Sequence, residues 1–341
     1  MKKERFDALV DLMASKSVTV VGDFILDEYL VGDTERVSRE APVVVIDYRE
    51  SVFHPGGAAN AVQNVSSMGA RAMAFGVLGE DRYGDVLKDV LETRGAETEG
   101  LVRVEGVSTA VKTRILAGEL HAQKQQVARI DRSYRVDPDS EGVKELGRRV
   151  VKNVRESDAV LISDYGMGVV PGPVSESLIE VCKEAGVPVI VDSRSQLLRF
   201  VGATVATPNE VELFDAMKLR VKDGPDLPTI AKEAVSKTRL AGLIVTRGSQ
   251  GMFAYNADGN CEHIGIVGTR DVTDVTGAGD TVSAMVSLAL ASGATLVEAA
   301  EMATYAASVV VMKRGTATIT RDELTAVRAK YPAPVAVDTP S

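Results

Sequence analysis

Residues 159–192 read AVLISDYGMGVVPGPVSESLIEVCKEAGVPVIVD and contain one complete strand–helix–strand pattern. The apolar run at 159–162 ends at Ser163 and Asp164, and the run at 188–191 ends at Asp192. The stretch between them, 173–185, has the apolar spacing of an amphipathic helix. Continuous apolar runs are typical of strands that are covered on both faces. The segment therefore predicts two parallel strands joined by a helix that crosses one face of a sheet.

The same alternation continues on both sides of this segment. Further apolar runs that end in a polar residue or Gly lie at 18–21, 72–78 and 243–245. Amphipathic stretches lie at 58–68, 84–94, 140–155 and 229–240, and helical patterns follow at 277–291, 296–312 and 321–330. The predicted fold class is α/β, with a doubly wound, mostly parallel sheet flanked by helices.

Two regions interrupt this alternation. Residues 42–49 and about 101–131 contain strand-like segments with no helix between them. They predict either a small β-sheet lid that projects from the main domain or edge strands of the main sheet. The expected organisation is an N-terminal helical extension at 1–16, one domain at 17–330 with lid strands at about 36–54 and 101–131, and a Pro-rich disordered tail at 331–341.

Composition excludes several classes of protein. The chain has 341 residues, with 39 Lys and Arg against 48 Asp and Glu, a formal net charge of −9. Non-specific nucleic-acid binding needs many Lys and Arg contacts to phosphate, so we expect no nucleic-acid partner. The longest uncharged run, 281–297, contains Ser, Thr and Gly and predicts a buried helix and no membrane contact. The N-terminus lacks a signal-peptide pattern, which predicts a cytoplasmic protein.

The strongest chemical motif is DVTGAGDT at residues 274–281, directly before a helical run. The small residues Gly277, Ala278 and Gly279 would begin that helix, and their free amides would face an anion such as a transferring phosphoryl group. Asp280 would lie in the first turn beside that anion, where a carboxylate can accept a proton from an attacking hydroxyl. The alternative is an ordinary small-residue helix start with Asp280 as a favourable charge.

Two earlier motifs are candidates for contact with a hydroxyl-rich ligand. PGGAAN at 55–60 places Gly56 and Gly57 where the backbone can approach a ligand closely, and Asn60 offers both a donor and acceptors. GDFILD at 22–27 puts Asp27 just past a strand end, where ligands bind in parallel sheets. A plain loop-to-helix junction and a solvated carboxylate are the respective alternatives.

Two later motifs would serve a nucleotide. In TPNEVE at 207–212, Asn209 and Glu212 share a helix face, and Glu212 could bind Mg²⁺ directly or through water. An N-terminal cap by Asn209 explains the same spacing without a ligand.

In TRGSQG at 246–251, Thr246, Gly248 and Gly251 form a Gly-rich turn after a strand. This turn suits either a nucleotide or a hairpin into 252–255. No Walker P-loop pattern occurs in the chain.

Taken in order, GDxxxD, GGxxN, NxxE, TxGxxG and DxxGAGD resemble the ribokinase-like sugar kinases, the PfkB family, from about residue 18 to 324. The resemblance implies a doubly wound α/β sheet with a small β lid. It also implies transfer of the ATP γ-phosphate to a sugar hydroxyl, with Mg²⁺ and optionally a monovalent cation (K⁺). Asp280 would be the catalytic base, with the amides of Gly277, Ala278 and Gly279 as the anion hole. The implied substrate contacts are Asp27, Gly56, Gly57, Asn60 and Asp164, and the implied nucleotide and magnesium contacts are Asn209, Glu212, Thr246, Gly248 and Gly251.

Within that family the chain is most similar to the heptose 7-phosphate kinases of lipopolysaccharide precursor synthesis. The similar segments are DFILDEYLVG at 23–32, RVSREAP at 36–42, QQVARID at 125–131 and SDYGMG at 163–168, where that group usually has Lys in place of Met167. The chain has no HxGH-type nucleotidyltransferase motif, so it resembles a kinase-only form whose product would be heptose 1,7-bisphosphate.

This similarity carries further expectations. Lys112, Arg114 and Arg129 are candidates to hold a substrate phosphate, with solvated surface charges as the alternative for each. Pairing of two lids would make a homodimer. The competing functions are a kinase for an unphosphorylated sugar or sugar acid, such as ribose, fructose or ketodeoxygluconate, and a non-catalytic sugar or nucleotide sensor on the same fold.

Overall fold

The large sheet is parallel over most of its width. The computed structural model describes residues 1–119, 124–170, 172–220, 226–269 and 272–335, without the side chains of residues 35 and 36. Within these residues a nine-stranded sheet has the order β13-β12-β11-β10-β9-β8-β1-β4-β5, and only the β11–β12 and β12–β13 pairs are antiparallel. Its strands are β1 Ser17–Gly22, β4 Arg71–Gly79, β5 Glu97–Val104, β8 Ala159–Asp164, β9 Val189–Ser193, β10 Val205–Ala206, β11 Gly242–Thr246, β12 Met252–Asn256 and β13 Cys261–Ile264.

Helices cover both faces of this sheet. Along β1, Val18 and Val20 pack into one apolar core while Val21 packs into the other, which is why the strand reads as a continuous apolar run. The helices are α1 Lys3–Met13, α2 Ala58–Ser67, α3 Arg82–Thr93, α4 Glu141–Asn153, α5 Gly172–Ala185, α6 Glu210–Ala216, α7 Leu227–Thr238, α8 Ala278–Ala291, α9 Leu296–Val310 and α10 Arg321–Lys330. The predicted doubly wound α/β fold is confirmed.

The winding of the sheet reverses at β1. The chain passes from β1 to β4 and β5 on one side, and from β8 through β9 and β10 to β11 on the other. In open α/β sheets, ligands bind in the crevice outside the carboxyl ends of the strands at such a switch point. The fold therefore places a binding crevice beyond the ends of β1 and β8.

A second, four-stranded sheet stands over this crevice, and we call it the lid. Its order is β3-β2-β6-β7, with β2 Phe24–Val37, β3 Val44–Gly57, β6 Ala110–Gly118 and β7 Gln125–Arg132. The expected lid bounds are wrong at two places. β2 begins at Phe24, because the chain runs into the lid one residue after β1 with no intervening turn. Residues 101–104 belong to β5, whose alternating burial fits an edge strand of the large sheet.

The chain termini differ from the expected extension and tail. Phe6, Leu9 and Met13 of α1 are fully buried, so this helix is part of one core layer and not an appendage. The backbone amide of Val335 donates to the carbonyl of Ile266 at 2.8 Å, so the chain is still packed at that point. Residues 336–341 of the expected tail and 120–123 of the expected lid lie outside the described residues. No helix in the described ranges has the length and apolar character needed to cross a membrane.

Candidate active site

A cavity of about 420 Å³ lies between the carboxyl edge of the large sheet and the lid. It brings together most of the predicted site residues from eight separate segments of the chain. Those that line it are Asp27, Gly57, Lys112, Arg114, Arg129, Asp164, Asn209, Glu212, Thr246, Gly277, Gly279 and Asp280. Gly56, Asn60, Ala278, Gly248 and Gly251 are not among the residues that line it.

Asp280 lies in the first turn of α8 and is only 3% exposed. Its Oδ2 accepts a hydrogen bond from Asn60 Nδ2 at 2.9 Å, and its Oδ1 accepts one from the Tyr165 hydroxyl at 2.7 Å. Burial raises the pKa of Asp280 to about 6, although these two hydrogen bonds favour the charged form. Such a carboxylate is ionised at neutral pH and remains basic enough to accept a proton, as a general base must.

Three backbone amides before Asp280 were expected to form an anion hole. One of them already donates a hydrogen bond within the protein. The Ala278 amide donates to the carbonyl of Val275 at 3.2 Å, because a tight turn closes the start of α8. In this conformation the Ala278 amide is therefore not free to donate to an anion, contrary to that expectation. The amides of Gly277 and Gly279 have no hydrogen-bond acceptor within the described residues and border the cavity. Gly277 has φ +78°, a left-handed conformation that favours glycine.

Asn60 was expected to contact the sugar, but its side chain contacts Asp280 and does not line the cavity. Its side chain is fully buried and holds Asp280, while its Oδ1 accepts a hydrogen bond from Asn64 Nδ2 at 3.2 Å. Gly57, at φ +57°, turns the chain from β3 into α2. Gly56 packs against Asp27, since a Cβ there would lie 2.9 Å from Asp27 Oδ2. These residues shape the cavity wall and position its carboxylates.

On the lid side, acidic and basic side chains alternate. Arg114 Nη1 lies 2.7 Å from Asp27 Oδ1, a buried ion pair in which neither atom has a well-aligned hydrogen bond. Arg129 Nε lies 2.9 Å from Asp131 Oδ1. Lys112 has no such partner within the described residues, and burial lowers its pKa. Lys112 is therefore the lid cation that is available to a ligand.

The nucleotide-side residues form a helix cap of their own. Asn209 Oδ1 accepts from the amide of Glu212 at 2.8 Å, and Glu212 Oε2 accepts from the amide of Asn209 at 2.9 Å. This reciprocal capping box matches the ligand-free alternative, yet both residues also border the cavity. Thr246 ends β11 beside them, whereas Gly248 and Gly251, both at positive φ, form the hairpin turn into β12.

Acidic side chains cluster at the base of the cavity, around Asp192. Burial, followed by repulsion from Asp280 and Glu212, raises the pKa of Asp192 to about 8. No group of three or more His, Cys, Asp or Glu side chains in the described ranges is arranged to hold a metal ion directly. Asp192 and Glu212 offer carboxylate oxygens that would suit Mg²⁺, which prefers oxygen ligands and would offset negative charge at this end of the cavity.

Several cavity residues have no counterpart among the predicted site residues. Tyr165 follows β8 within the SDYGMG segment, Asp192 is the penultimate residue of β9, and Arg194 follows β9, so their position at strand ends is a signal that all three share. Asp164 was selected by its motif, and its carboxylate accepts hydrogen bonds from the Gly166 amide at 3.0 Å and the Ser193 hydroxyl at 2.8 Å. That carboxylate therefore orders two strand-end loops.

Comparison with known proteins gives the family. The profile described as pfkB family carbohydrate kinase matches residues 15–323, which is most of the chain. The chain belongs to the pfkB family of carbohydrate kinases. This confirms the resemblance drawn from the motifs, and the protein is a sugar kinase. The non-catalytic sensor is therefore not supported.

Relatives in the curated set share the name bifunctional protein HldE. The relative from Mesorhizobium japonicum is 40% identical over 321 residues, covering 94% of this chain and 63% of its own length. The relative from Desulfatibacillum aliphaticivorans is 37% identical over 318 residues, covering 93% of this chain and 64% of its own length. The kinase thus spans less than two thirds of these relatives.

Solved structures confirm the fold. Arabidopsis thaliana ribokinase complexed with ribose and ATP has a TM-score of 0.68 at 21% identity, covering 92% of this chain and 98% of that one. Phosphofructokinase-2 from Escherichia coli, in complex with substrates and products, has a TM-score of 0.72 at 19% identity, covering 93% and 99%. The ribokinase-like architecture with a small sheet over the crevice is therefore shared.

Proposed function

We propose that this kinase transfers the γ-phosphoryl group of ATP to the anomeric hydroxyl of a heptose 7-phosphate, which gives heptose 1,7-bisphosphate and ADP. The observation that supports this most is the presence of four cations in the cavity, beside the six carboxylates that line it. In a chain with net charge −9, the cavity that contains Asp280 also contains Lys112, Arg114, Arg129 and Arg194. Lys and Arg form charge-assisted hydrogen bonds to phosphate. Their presence in the cavity of an acidic protein therefore favours a sugar substrate that already has a phosphate group.

The resemblance of the lid and N-terminal segments to heptose 7-phosphate kinases points to the same substrate. The relatives named bifunctional protein HldE, at 37% and 40% identity, support it as well. Since the chain spans only part of those relatives, the substrate stays a proposal about the kinase region.

In the proposed reaction, Asp280 accepts the proton of the attacking hydroxyl. The new bond forms between the sugar oxygen and the γ-phosphorus as the bond from that phosphorus to the β–γ bridging oxygen breaks. The amides of Gly277 and Gly279 stabilise the charge on the transferring group. Asn209, Glu212 and Thr246 bind the nucleotide side, and Mg²⁺, when bound, offsets the charge of the ATP phosphates. A requirement for K⁺ stays a prediction.

The test is a comparison of acceptors with ATP as donor. Heptose 7-phosphate, the dephosphorylated heptose, ribose and fructose 6-phosphate are each supplied, and ADP release is measured together with the ³¹P spectrum of the product. We expect heptose 7-phosphate to have the highest kcat/KM and to gain an anomeric phosphate ester. A higher kcat/KM for an unphosphorylated sugar would replace the proposed substrate with that alternative.

The exposed face of the lid predicts a homodimer. Seven of the fourteen exposed large apolar side chains in the described chain lie on the lid or next to it, among them Val44 and Tyr48, which are 56% and 61% exposed. A patch of this kind on a soluble protein marks an interaction surface. We expect light scattering at micromolar concentration to give twice the chain mass of 36.2 kDa.

Substitutions on the lid test whether this patch forms the dimer interface. The double variant Val44→Asp/Tyr48→Asp should give a monomer, because charges on the patch oppose its burial. Val211→Asp, on α6 and 59% exposed, should leave the mass unchanged. A wild-type mass of a single chain would contradict the dimer.

A further inference from the structure

Tyr165, the residue that follows β8, reaches the proposed base directly. Its hydroxyl donates to Asp280 Oδ1 at 2.7 Å, on the other carboxylate oxygen from the one that Asn60 holds. Burial and the neighbouring Asp280 carboxylate raise the pKa of Tyr165 well above its ordinary value, so it remains a neutral donor. Both oxygens of the base are thereby held by uncharged donors from separate elements.

The backbone around Tyr165 is fixed by buried carboxylates. Asp23 Oδ2 accepts hydrogen bonds from the amides of Tyr165 at 2.7 Å and Met167 at 3.1 Å. Asp164 Oδ1 accepts from the intervening amide of Gly166, which has φ +81°. Three successive backbone amides therefore donate hydrogen bonds to two carboxylates at the switch point of the sheet. This arrangement sets the position of the tyrosine ring before any ligand binds.

The ring of Tyr165 also contacts two cations. The guanidinium carbon of Arg194 lies 4.4 Å from the ring centroid, and Lys112 Nζ lies 5.1 Å from it. No ion pair to either cation occurs in the part of the chain that the structure describes. Both side chains border the cavity, one from the end of β9 and one from the lid. A cation over an aromatic face is held by the ring quadrupole without being neutralised, so its charge stays available to phosphate.

We propose that Tyr165 is a positioning residue with two functions: its hydroxyl orients the carboxylate of Asp280, and its ring holds Lys112 and Arg194 at the surface that faces the phosphate groups. The proposal rests on the assignment of Asp280 as the base. One side chain then connects the proton acceptor to the cations that stabilise the substrates.

The hydroxyl can be tested through the pH profile. Asp280 works as a base only when ionised, and removing a donor to the ionised form raises its pKa. The groups that face Asp280 are Asn60 from α2, Asp27 and Lys112 from the lid, Asp192 from β9 and Arg194 just after it. With these unchanged in Tyr165→Phe, the acid limb of kcat/KM should move to higher pH, and kcat/KM near pH 6 should fall about tenfold.

The ring is tested by a second variant at the same position. Tyr165→Phe keeps both cation contacts and should leave KM for ATP and for the sugar phosphate unchanged. Tyr165→Leu removes ring and hydroxyl together, and should raise at least one of these KM values about three- to tenfold over the Phe variant. If the Leu variant does not fold by circular dichroism, Arg194→Met in the Tyr165→Phe background provides the same comparison.

A matched control is Tyr134→Phe, which removes a buried hydroxyl that donates to the Val77 carbonyl at 3.1 Å outside the cavity. This variant should reproduce the wild-type pH profile. The orienting function is overturned if Tyr165→Phe also reproduces it, or if both Phe variants shift alike. The ring function is overturned if the Leu and Phe variants share the same KM values. An active Asp280→Asn variant would instead overturn the base, so the two failures are distinguishable.

Discussion

Replacing Asp280 with Asn should lower kcat by about 10²–10⁴-fold, the usual contribution of a general base. A sugar hydroxyl is a weak nucleophile at neutral pH, so its proton must leave as the phosphoryl group arrives. Asn keeps the size of the side chain and one acceptor oxygen, and it cannot take that proton. KM for ATP should change little, since Asn209, Glu212 and Thr246 are unaltered.

The control for this variant is Asp226→Asn. Asp226 caps α7 by accepting from the Thr229 amide at 2.8 Å, it lies outside the cavity, and Asn is an equally good cap. Its kcat should match the wild type. If Asp280→Asn keeps more than about a tenth of wild-type kcat with an unchanged circular dichroism spectrum, the loss is below the general-base range. Asp280 would then be only a favourable charge at the start of α8.

The sequence was sufficient for the longer central strands of the large sheet, because a strand that is buried on both faces reads as a continuous apolar run. β1, β4, β8 and β11 coincide with continuous apolar runs that end in a polar residue or Gly. β10 has two residues, too few for any pattern to mark. It is a strand because Val205 and Ala206 lie between β9 and β11, a property of the tertiary structure and not of the segment.

The lid was harder to predict because β2 changes sheets. Residues 24–37 leave the large sheet directly after Asp23 and pair with β3 antiparallel and with β6 parallel. An apolar start such as Phe24, Ile25 and Leu26 looks like a continuation of β1. The pairing that makes it a lid strand comes from β3, up to 33 residues away, and from β6, 85 residues away, which local periodicity cannot show.

The site residues also fall into two groups: those that lie together in the sequence and those that only the fold brings together. The grouping of Asp280 with Gly277 and Gly279 at the cavity could be predicted because all three lie in one short segment. Tyr165 and Arg194 could not, because their relation to Asp280 exists only after β8, β9 and α8 meet. Asn60 was expected to contact a sugar hydroxyl, whereas the structure pairs its side chain with Asp280. Motifs identify residues, and only the fold assigns their contacts.

Lys112→Met should remove most of the preference for a phosphorylated acceptor. If Lys112 binds the remote phosphate of the sugar, part of that binding energy is used at the reacting centre, so the wild type should favour heptose 7-phosphate by orders of magnitude in kcat/KM. A hydrogen bond to a charged group is worth about 1.5–3 kcal/mol, so the variant should lose roughly 10- to 150-fold on this substrate. Met keeps most of the side-chain volume and removes only the charge.

The comparison should be made at about pH 8.5, because Lys112 also lowers the pKa of Asp280 and its removal would otherwise change the ionised fraction of the base. Lys88→Met on α3, where Lys88 Nζ lies 3.6 Å from Glu92, is the control and should have no effect. The dephosphorylated heptose should react with Lys112→Met nearly as it does with the wild type. An equal loss on both sugars would instead place Lys112 at the transferring phosphoryl group. Arg114 and Arg129 would then have to bind the substrate phosphate. To do so, Arg114 would have to give up its ion pair with Asp27, and Arg129 its ion pair with Asp131.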